Sequence, residues 1–214
     1  MDKRIITDAI EFVKKTFHDD YSGHDYFHTL RVYKMAARIA QQENADLFIV
    51  QLAALLHDVD DIKLSPETYA NKDKAVGFLR KHDVSEATIK MICDIIGEVS
   101  FRGTDSIAPE TIEGKCVQDA DRLDAMGAIG IARAFAYGGS HNRIIHDPEM
   151  KPAVNMNGEK YQSHISTSIN HFYEKLFQLK DMMNTSTAAK IAQRREDYMK
   201  SFVAEFLDEW DGIL

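Results

Sequence analysis

The sequence predicts an all-α fold. Apolar residues recur at three- and four-residue spacing almost throughout, no stretch alternates convincingly at the period of a half-buried strand, and good helix-capping residues stand in the short polar breaks. Ile5, Ile6, Ile10 and Val13 make the face of a first helix. Leu30, Tyr33, Met35, Ala36, Ile39 and Ala40 make the face of a second, which Gly23 and Asp25 set to begin near His24. The break Asn44-Ala45-Asp46 offers Asp46 as N-cap for the third, an apolar run from Leu47 to Leu56 interrupted by Gln51. Ile89, Ile92, Cys93 and Ile96 follow the break His82-Asp83-Val84-Ser85, with Ser85 as N-cap. Cys116, Val117, Leu123, Met126 and Ala128 flank an acidic cluster on another helix. Phe172, Leu176, Leu179 and Met183 share one further face, and Phe202, Phe206 and Trp210 form a C-terminal stripe suited to closing the core.

A chain of 214 residues can bury a large core, and four prolines with eleven glycines are too few for a linker. A single domain over residues 1–214 is expected, with a motif-bearing core at about 20–130 and C-terminal helices at 160–214 packing on it. One segment breaks the periodicity, a long loop at about 138–158 rich in glycine, proline, asparagine and histidine. It is either a binding loop or lid, or a disordered excursion.

A formal net charge of −8 argues against a nucleic-acid polymer as partner, because phosphate backbones need a basic face. Arg194-Arg195 and Lys72-Asp73-Lys74 are local basic clusters that solvated helices carry routinely. Cys93 and Cys116 lack CxxC spacing and suit free buried thiols in a reducing compartment. The N-terminal segment lacks the apolar core of a signal peptide, and Leu47–Leu56 is far short of a membrane span. A cytoplasmic protein without a membrane partner is the expectation.

The apolar run Leu52-Ala53-Ala54-Leu55-Leu56 ends abruptly in His57-Asp58, followed by Asp60 and Asp61. The His-Asp dipeptide also occurs at His18, His24, His82 and His146, so the dipeptide carries no weight by itself. Its setting does, because a buried helix delivers this polar pair to the floor of a site. A divalent ion needs imidazoles and carboxylates converging from separate parts of the chain. His24 and His28 stand at i, i+4, and His28, within the first full turns of its helix, is better held. Asp119, Asp121 and Asp124 bring three carboxylates into a helix with apolar flanks, an expensive arrangement unless a cation neutralises it. A lone helical histidine is more often a surface or satisfied core residue, and acidic residues near a helix start are more often caps.

The order His28, His57-Asp58 and Asp121, the last within Ala120-Asp121-Arg122-Leu123, resembles the H…HD…D signature of the HD-domain metal-dependent phosphohydrolase superfamily. The pieces His28-Thr29-Leu30-Arg31-Val32, Gln118 to Ala125, and His171-Phe172-Tyr173-Glu174-Lys175-Leu176 are similar to its small stand-alone bacterial members, the YpgQ/YedJ-like group. The resemblance runs over essentially the whole chain and implies the helical HD-domain fold. It implies one divalent ion, such as Mn, Mg, Ni, Co or Fe, held by His28, His57, Asp58 and Asp121. Asp119 is the weaker ligand candidate, and Asp124 could accept a hydrogen bond behind the ligands.

The resemblance further implies hydrolysis of a phosphate ester or phosphoanhydride of a nucleotide, with pyrophosphate release from a nucleoside triphosphate as one form. Asp61 matches an acidic position that handles a proton in the guanosine-tetraphosphate-degrading branch; Asp60 competes for the role, and an acidic loop at a helix end is the plainer reading of both. Arg31, one turn past His28, and Arg122 are candidates for forked phosphate contacts. Lys63, Lys72, Lys74 and Arg102 are further cations whose ordinary reading is surface charge. Tyr26, Phe27, Phe101 and Tyr137 either stack a base or belong to the core. Two-metal members, including diiron oxygenases, insert further histidines between the HD pair and the last aspartate. Only His82 lies there in this chain, so one metal is expected. A non-catalytic module that senses a nucleotide through the same pocket is the alternative, and a cyclic-nucleotide phosphodiesterase is a third reading.

Overall fold

A computed structural model describes residues 2–18, 25–62, 65–101, 103–154 and 156–214. Among them the secondary structure is helical, with one isolated antiparallel bridge between Gly103 and Asn157. The helices gather into two compact units, one formed by Met1–Ser100 with Ile107–Asp121 and the other by Phe101–Ser106 with Arg122–Leu214. His24, Lys63 and Arg102 lie outside the described residues.

The first unit opens with α1 (Asp2–Thr16), which buries Ile5, Ile6, Ala9 and Val13, so Ala9 rather than Ile10 occupies the centre of its face. The second helix, α2 (Tyr26–Glu43), starts two residues later than the sequence suggests. Asp25 is its N-cap and accepts a hydrogen bond from the His28 amide at 2.6 Å. Its buried seam is His28, Thr29, Val32, Ala36, Ile39 and Ala40. Asn44 ends it in the left-handed conformation, and Asp46, as expected, caps α3 (Leu47–Leu56) through the Phe48 and Ile49 amides.

Val50 and every residue from Leu52 to Leu56 are buried in α3, which packs on α1, α2 and α5 (Glu86–Val99). A helix that is apolar all round must be a central one, and α3 is. Ser85 caps α5 through the Thr88 amide as expected, and Ile89, Ile92, Ile95, Ile96 and Val99 face inward. Between them α4 (Asp73–Lys81) packs on α5 and buries Ala75, Phe78 and Leu79. α6 (Ile112–Asp124) completes the set, with Cys116, Val117 and Ala120 in the core.

In the second unit α7 (Gly127–Ser140) and α10 (Ser186–Trp210) pack together. Gly127 makes the turn into α7 at φ +70°, a conformation that a side chain resists. Phe135, Phe172 and Phe202 form a triangle of rings, with centroids 5.8 to 6.2 Å apart. The Phe202, Phe206, Trp210 stripe continues this stack, although Trp210 is largely exposed. The face containing Phe172, Leu176 and Leu179 is buried as expected, but no single helix carries it. The chain breaks at Lys175 (φ −139°) into α9 (Asn170–Glu174) and two 3-10 turns, Leu176–Gln178 and Lys180–Met182. Gln178 supplies the reason: its side-chain amide donates to the Tyr173 and Glu174 carbonyls, which a continuing helix would have used.

The irregular stretch is shorter than 138–158, since α7 runs on to Ser140 and α8 (Gly158–Ser163) begins at its far end. It is tied down. The buried Glu174 carboxylate accepts from the Ala153 amide at 3.1 Å, the Ser166 hydroxyl at 2.7 Å and the His164 ring, and Asn170 donates to the Met150 carbonyl.

Candidate metal centre

Three helices of the first unit deliver the four ligand candidates. The Asp25 cap fixes the start of α2, which places His28 in its first turn at 1 % exposure. Burial of Leu52 to Leu56 carries the end of α3 inward, so the turn after it holds His57 and Asp58 below the surface. Asp121 rides on α6. That helix is anchored by buried Gln118, whose side-chain amide donates to the Glu98 carbonyl at 2.6 Å and the Ile107 carbonyl at 2.8 Å. Its other end is held where Glu113 accepts from the Asp46 amide at 3.0 Å.

The donor atoms converge. His28 Nε2 stands 3.3 Å from Asp58 Oδ2 and 3.5 Å from Asp121 Oδ1, and His57 Nε2 stands 3.2 and 4.0 Å from the same two oxygens. Donors about 2.0–2.2 Å from one ion stand about 3–3.5 Å from one another, so these separations suit a shared cation. His57 Nδ1 lies 2.9 Å from the Ala54 carbonyl, which places a proton on Nδ1 and makes Nε2, the nitrogen facing the carboxylates, the one that a second proton or a metal takes up. That Nε2 is buried and, although Asp58 Oδ2 lies 3.2 Å away, makes no well-aligned hydrogen bond, an arrangement that costs free energy unless a ligand takes it up. Its pKa reports the same field. Burial alone would lower it, but Asp58 and Asp121 outweigh burial and raise it to about 9. The His28, His57, Asp58 cluster and the adjoining Asp121 fit a divalent ion by donor type, spacing and the orphaned nitrogen.

Around the cluster, Arg31 is half-buried on α2, one turn beyond His28. The Asp61 amide donates to the Asp58 carbonyl at 3.0 Å, and its own carbonyl accepts from the Ser65 amide at 2.7 Å. Asp60, read as a competitor for proton transfer, has both carboxylate oxygens engaged elsewhere. They accept from the Lys74 amide at 3.1 Å and the Ala75 amide at 2.9 Å, at the start of α4. Such charge-assisted bonds to a buried carboxylate are worth about 1.5–3 kcal/mol each. The Lys74 ammonium donates to the Ser65 hydroxyl. Lys72 sits at φ +54° before α4 and gives that helix no side-chain cap.

Asp119 is fully buried on α6. The nearby Cys116 thiol is pushed up to about 12 by burial and then by Asp119, Glu43 and Glu113, so it is inert as a nucleophile. His82 is used locally, 3.7 Å from Asp8 and against the Phe78 ring. Phe27 is exposed and lies next to Tyr26, their rings 5.4 Å apart. In the second unit Asp124 pairs with Arg133 at 2.7 Å, and Arg122, next in sequence to Asp121, donates to the Met182 carbonyl. Phe101 lies under the Lys175 ammonium, and Tyr137 stacks on His141.

Sequence reading missed the capping role of Asp60 and the anchoring role of Gln118. For Asp60 no local spacing points to partners fourteen and fifteen residues away. For Gln118 the signal was a long polar side chain between Val117 and Ala120 on an apolar helix.

Fold and site together define a helical protein with a mixed histidine and aspartate cluster that could hold a metal ion. The chain belongs to the HD domain family, whose pattern matches residues 25–126. It is 39% identical to YpgQ of Bacillus subtilis over 94% of this chain and 92% of that one. It has the fold of the HD-superfamily hydrolases. The crystal structure of one such hydrolase from Bacillus thuringiensis superposes with a TM-score of 0.79 at 43% identity, covering 99% of both chains. The crystal structure of Bacillus subtilis YpgQ in complex with ADP superposes at 0.72 with 35% identity, covering 98% of this chain and 97% of the other. No helix among the described residues is long and apolar enough to cross a membrane.

Proposed function

We propose that this chain is a phosphohydrolase that cleaves a phosphate ester or phosphoanhydride of a nucleotide with one divalent metal, releasing pyrophosphate if a nucleoside triphosphate is the substrate. The observation that carries the reading is the convergence of His28, His57, Asp58 and Asp121 about an orphaned, buried His57 Nε2. A divalent ion bound there lowers the pKa of water and polarises a phosphoryl oxygen. His57, held by the Ala54 carbonyl, presents Nε2 inward without reorienting its ring and would give up the proton there to a bound metal. Asp61, three residues after Asp58 and fixed at both its N–H and its C=O, is the proton-handling group. Arg31 extends the positive side of the site toward phosphate oxygens, with Lys74 as a second cation within the same unit.

The nucleotide class is supported by ADP in the YpgQ complex. A panel of nucleoside mono-, di- and triphosphates with Mn²⁺, assayed for phosphate and pyrophosphate, tests the reading. Turnover of at least one nucleotide is expected. Tight nucleotide binding with no product across the panel would make the chain a sensor instead.

A further inference from the structure

We infer that Asp60 is a positioning residue, whose carboxylate fastens the His57–Asp58 turn to the start of α4 and thereby sets where Asp61 stands. The part of this inference that concerns turnover rests on the phosphohydrolase reading above. Two observations lead to it. First, α4 begins after Lys72 in the left-handed conformation, with no side-chain cap from its own flank. Its early amides instead reach back to Asp60, Lys74 to Oδ1 and Ala75 to Oδ2. One carboxylate, 3 % exposed, therefore acts as a helix cap from fourteen residues upstream.

Second, the bonds continue from α4 back to the turn. Lys74 Nζ donates to Ser65 Oγ, the Ser65 amide donates to the Asp61 carbonyl at 2.7 Å, and the Asp61 amide donates to the Asp58 carbonyl at 3.0 Å. With the peptide bond from Asp60 to Asp61, these links close a ring through Asp61, Ser65, Lys74 and Asp60, and the Asp61 amide ties that ring to Asp58. Asp61 is held at its C=O by that ring and at its N–H by the Asp58 carbonyl. Asp60 spends its oxygens on backbone amides and touches no reacting group, so it acts through Asp61.

The ring predicts a graded series. Asp60→Asn keeps one acceptor and turns an amide group toward an N–H, Asp60→Ala removes both acceptors, and Ser65→Ala cuts the ring at its far side while leaving the α4 cap intact. Wild type and the three variants are compared by Mn²⁺ calorimetry, by steady-state kinetics on whichever nucleotide the panel identifies, and by amide hydrogen exchange at residues 61 and 65. The expected result is one ion per chain throughout, with kcat lowered about tenfold or more in Asp60→Ala, less in the other two, and KM little changed. Faster exchange at the Asp61 and Ser65 amides should accompany it.

A residue that only caps α4 would leave those two amides protected, and that result overturns the proposal, as does wild-type kcat in Asp60→Ala. If wild type hydrolyses nothing, the phosphohydrolase reading fails while the exchange data still decide whether Asp60 holds Asp61. If Asp60→Ala does not fold, Asp60→Asn and Ser65→Ala carry the same readouts.

Discussion

The His28 imidazole lies 3.3 Å from the Asp58 carboxylate, although α2 carries the one and the turn after α3 the other. That proximity makes the separate polar residues one site. The neighbouring Asp61 is fixed through its backbone instead. His57→Ala and Asp58→Ala should each weaken Mn²⁺ binding about a hundredfold or more and abolish turnover. Asp61→Ala should keep one ion per chain and lower kcat about 10²–10⁴-fold, the usual worth of a general acid or base. Metal analysis of the three variants checks this, and loss of the ion from Asp61→Ala would make Asp61 a ligand.

Proton and metal compete for His57. Burial disfavours its charged form, yet Asp58 and Asp121 raise its pKa to about 9 against an ordinary 6.5. A raised folded-state pKa contributes stability that is fully present below about 6.5 and is lost as pH rises through about 9. For this group that amounts to on the order of 3 kcal/mol. In chelator-treated protein Tm should therefore fall between pH 6.5 and 9. Metal binding requires the neutral ring, so apparent affinity should drop about tenfold for each pH unit below 9. The rise in Tm on adding Mn²⁺ should grow from pH 6.5 to 8.5, and an increment that does not change with pH would contradict the assignment.

How much of this was legible in the sequence depends on how local each signal is. Asp46 and Ser85 were readable as caps because the amides they accept lie two or three residues away. The His57-Asp58 pair was readable because an apolar run drives it inward. Of the α2 face read as Leu30, Tyr33, Met35, Ala36, Ile39 and Ala40, the buried seam keeps Ala36, Ile39 and Ala40 but continues through Val32 to Thr29 and His28 rather than through Tyr33 and Leu30. Hydrophobicity could not register that seam, since its first member is a histidine that the cluster of carboxylates makes tolerable in the core. The break at Lys175 was hidden for a different reason. The apolar spacing of Phe172, Leu176 and Leu179 serves equally well a helix and a chain of tighter turns, and the side chain that decides between them is Gln178.

Glu174 is the anchor of the irregular segment before α8 and of the chain that follows it. Its carboxylate is 5 % exposed as a residue and accepts from Ala153, His164 and Ser166. Glu174→Ala would leave those donors without their acceptor and should cost about 3 kcal/mol, in the range found when one partner of a buried charged network is removed. Limited proteolysis should then cut first within residues 141–165, while the Mn²⁺ stoichiometry of the first unit stays at one. Unchanged Tm and an unchanged cleavage pattern would show that the segment is held by something else.

His171 should make the second unit acid-labile. Burial, followed by the positive charges of Lys175 and Arg143, holds its imidazole at about 3. The unfolded chain takes up a proton near 6.5 while the folded chain resists until about 3, so this group removes stability progressively as pH falls across that interval and has no effect above it. The loss over that interval is on the order of a few kcal/mol. His171→Leu removes the titrating group and keeps an apolar occupant. Plotted against pH from 7 to 4, its Tm should fall less steeply than that of wild type. Parallel curves would mean that His171 takes up its proton in the folded state as readily as in the unfolded one, and that the acid sensitivity belongs to other groups.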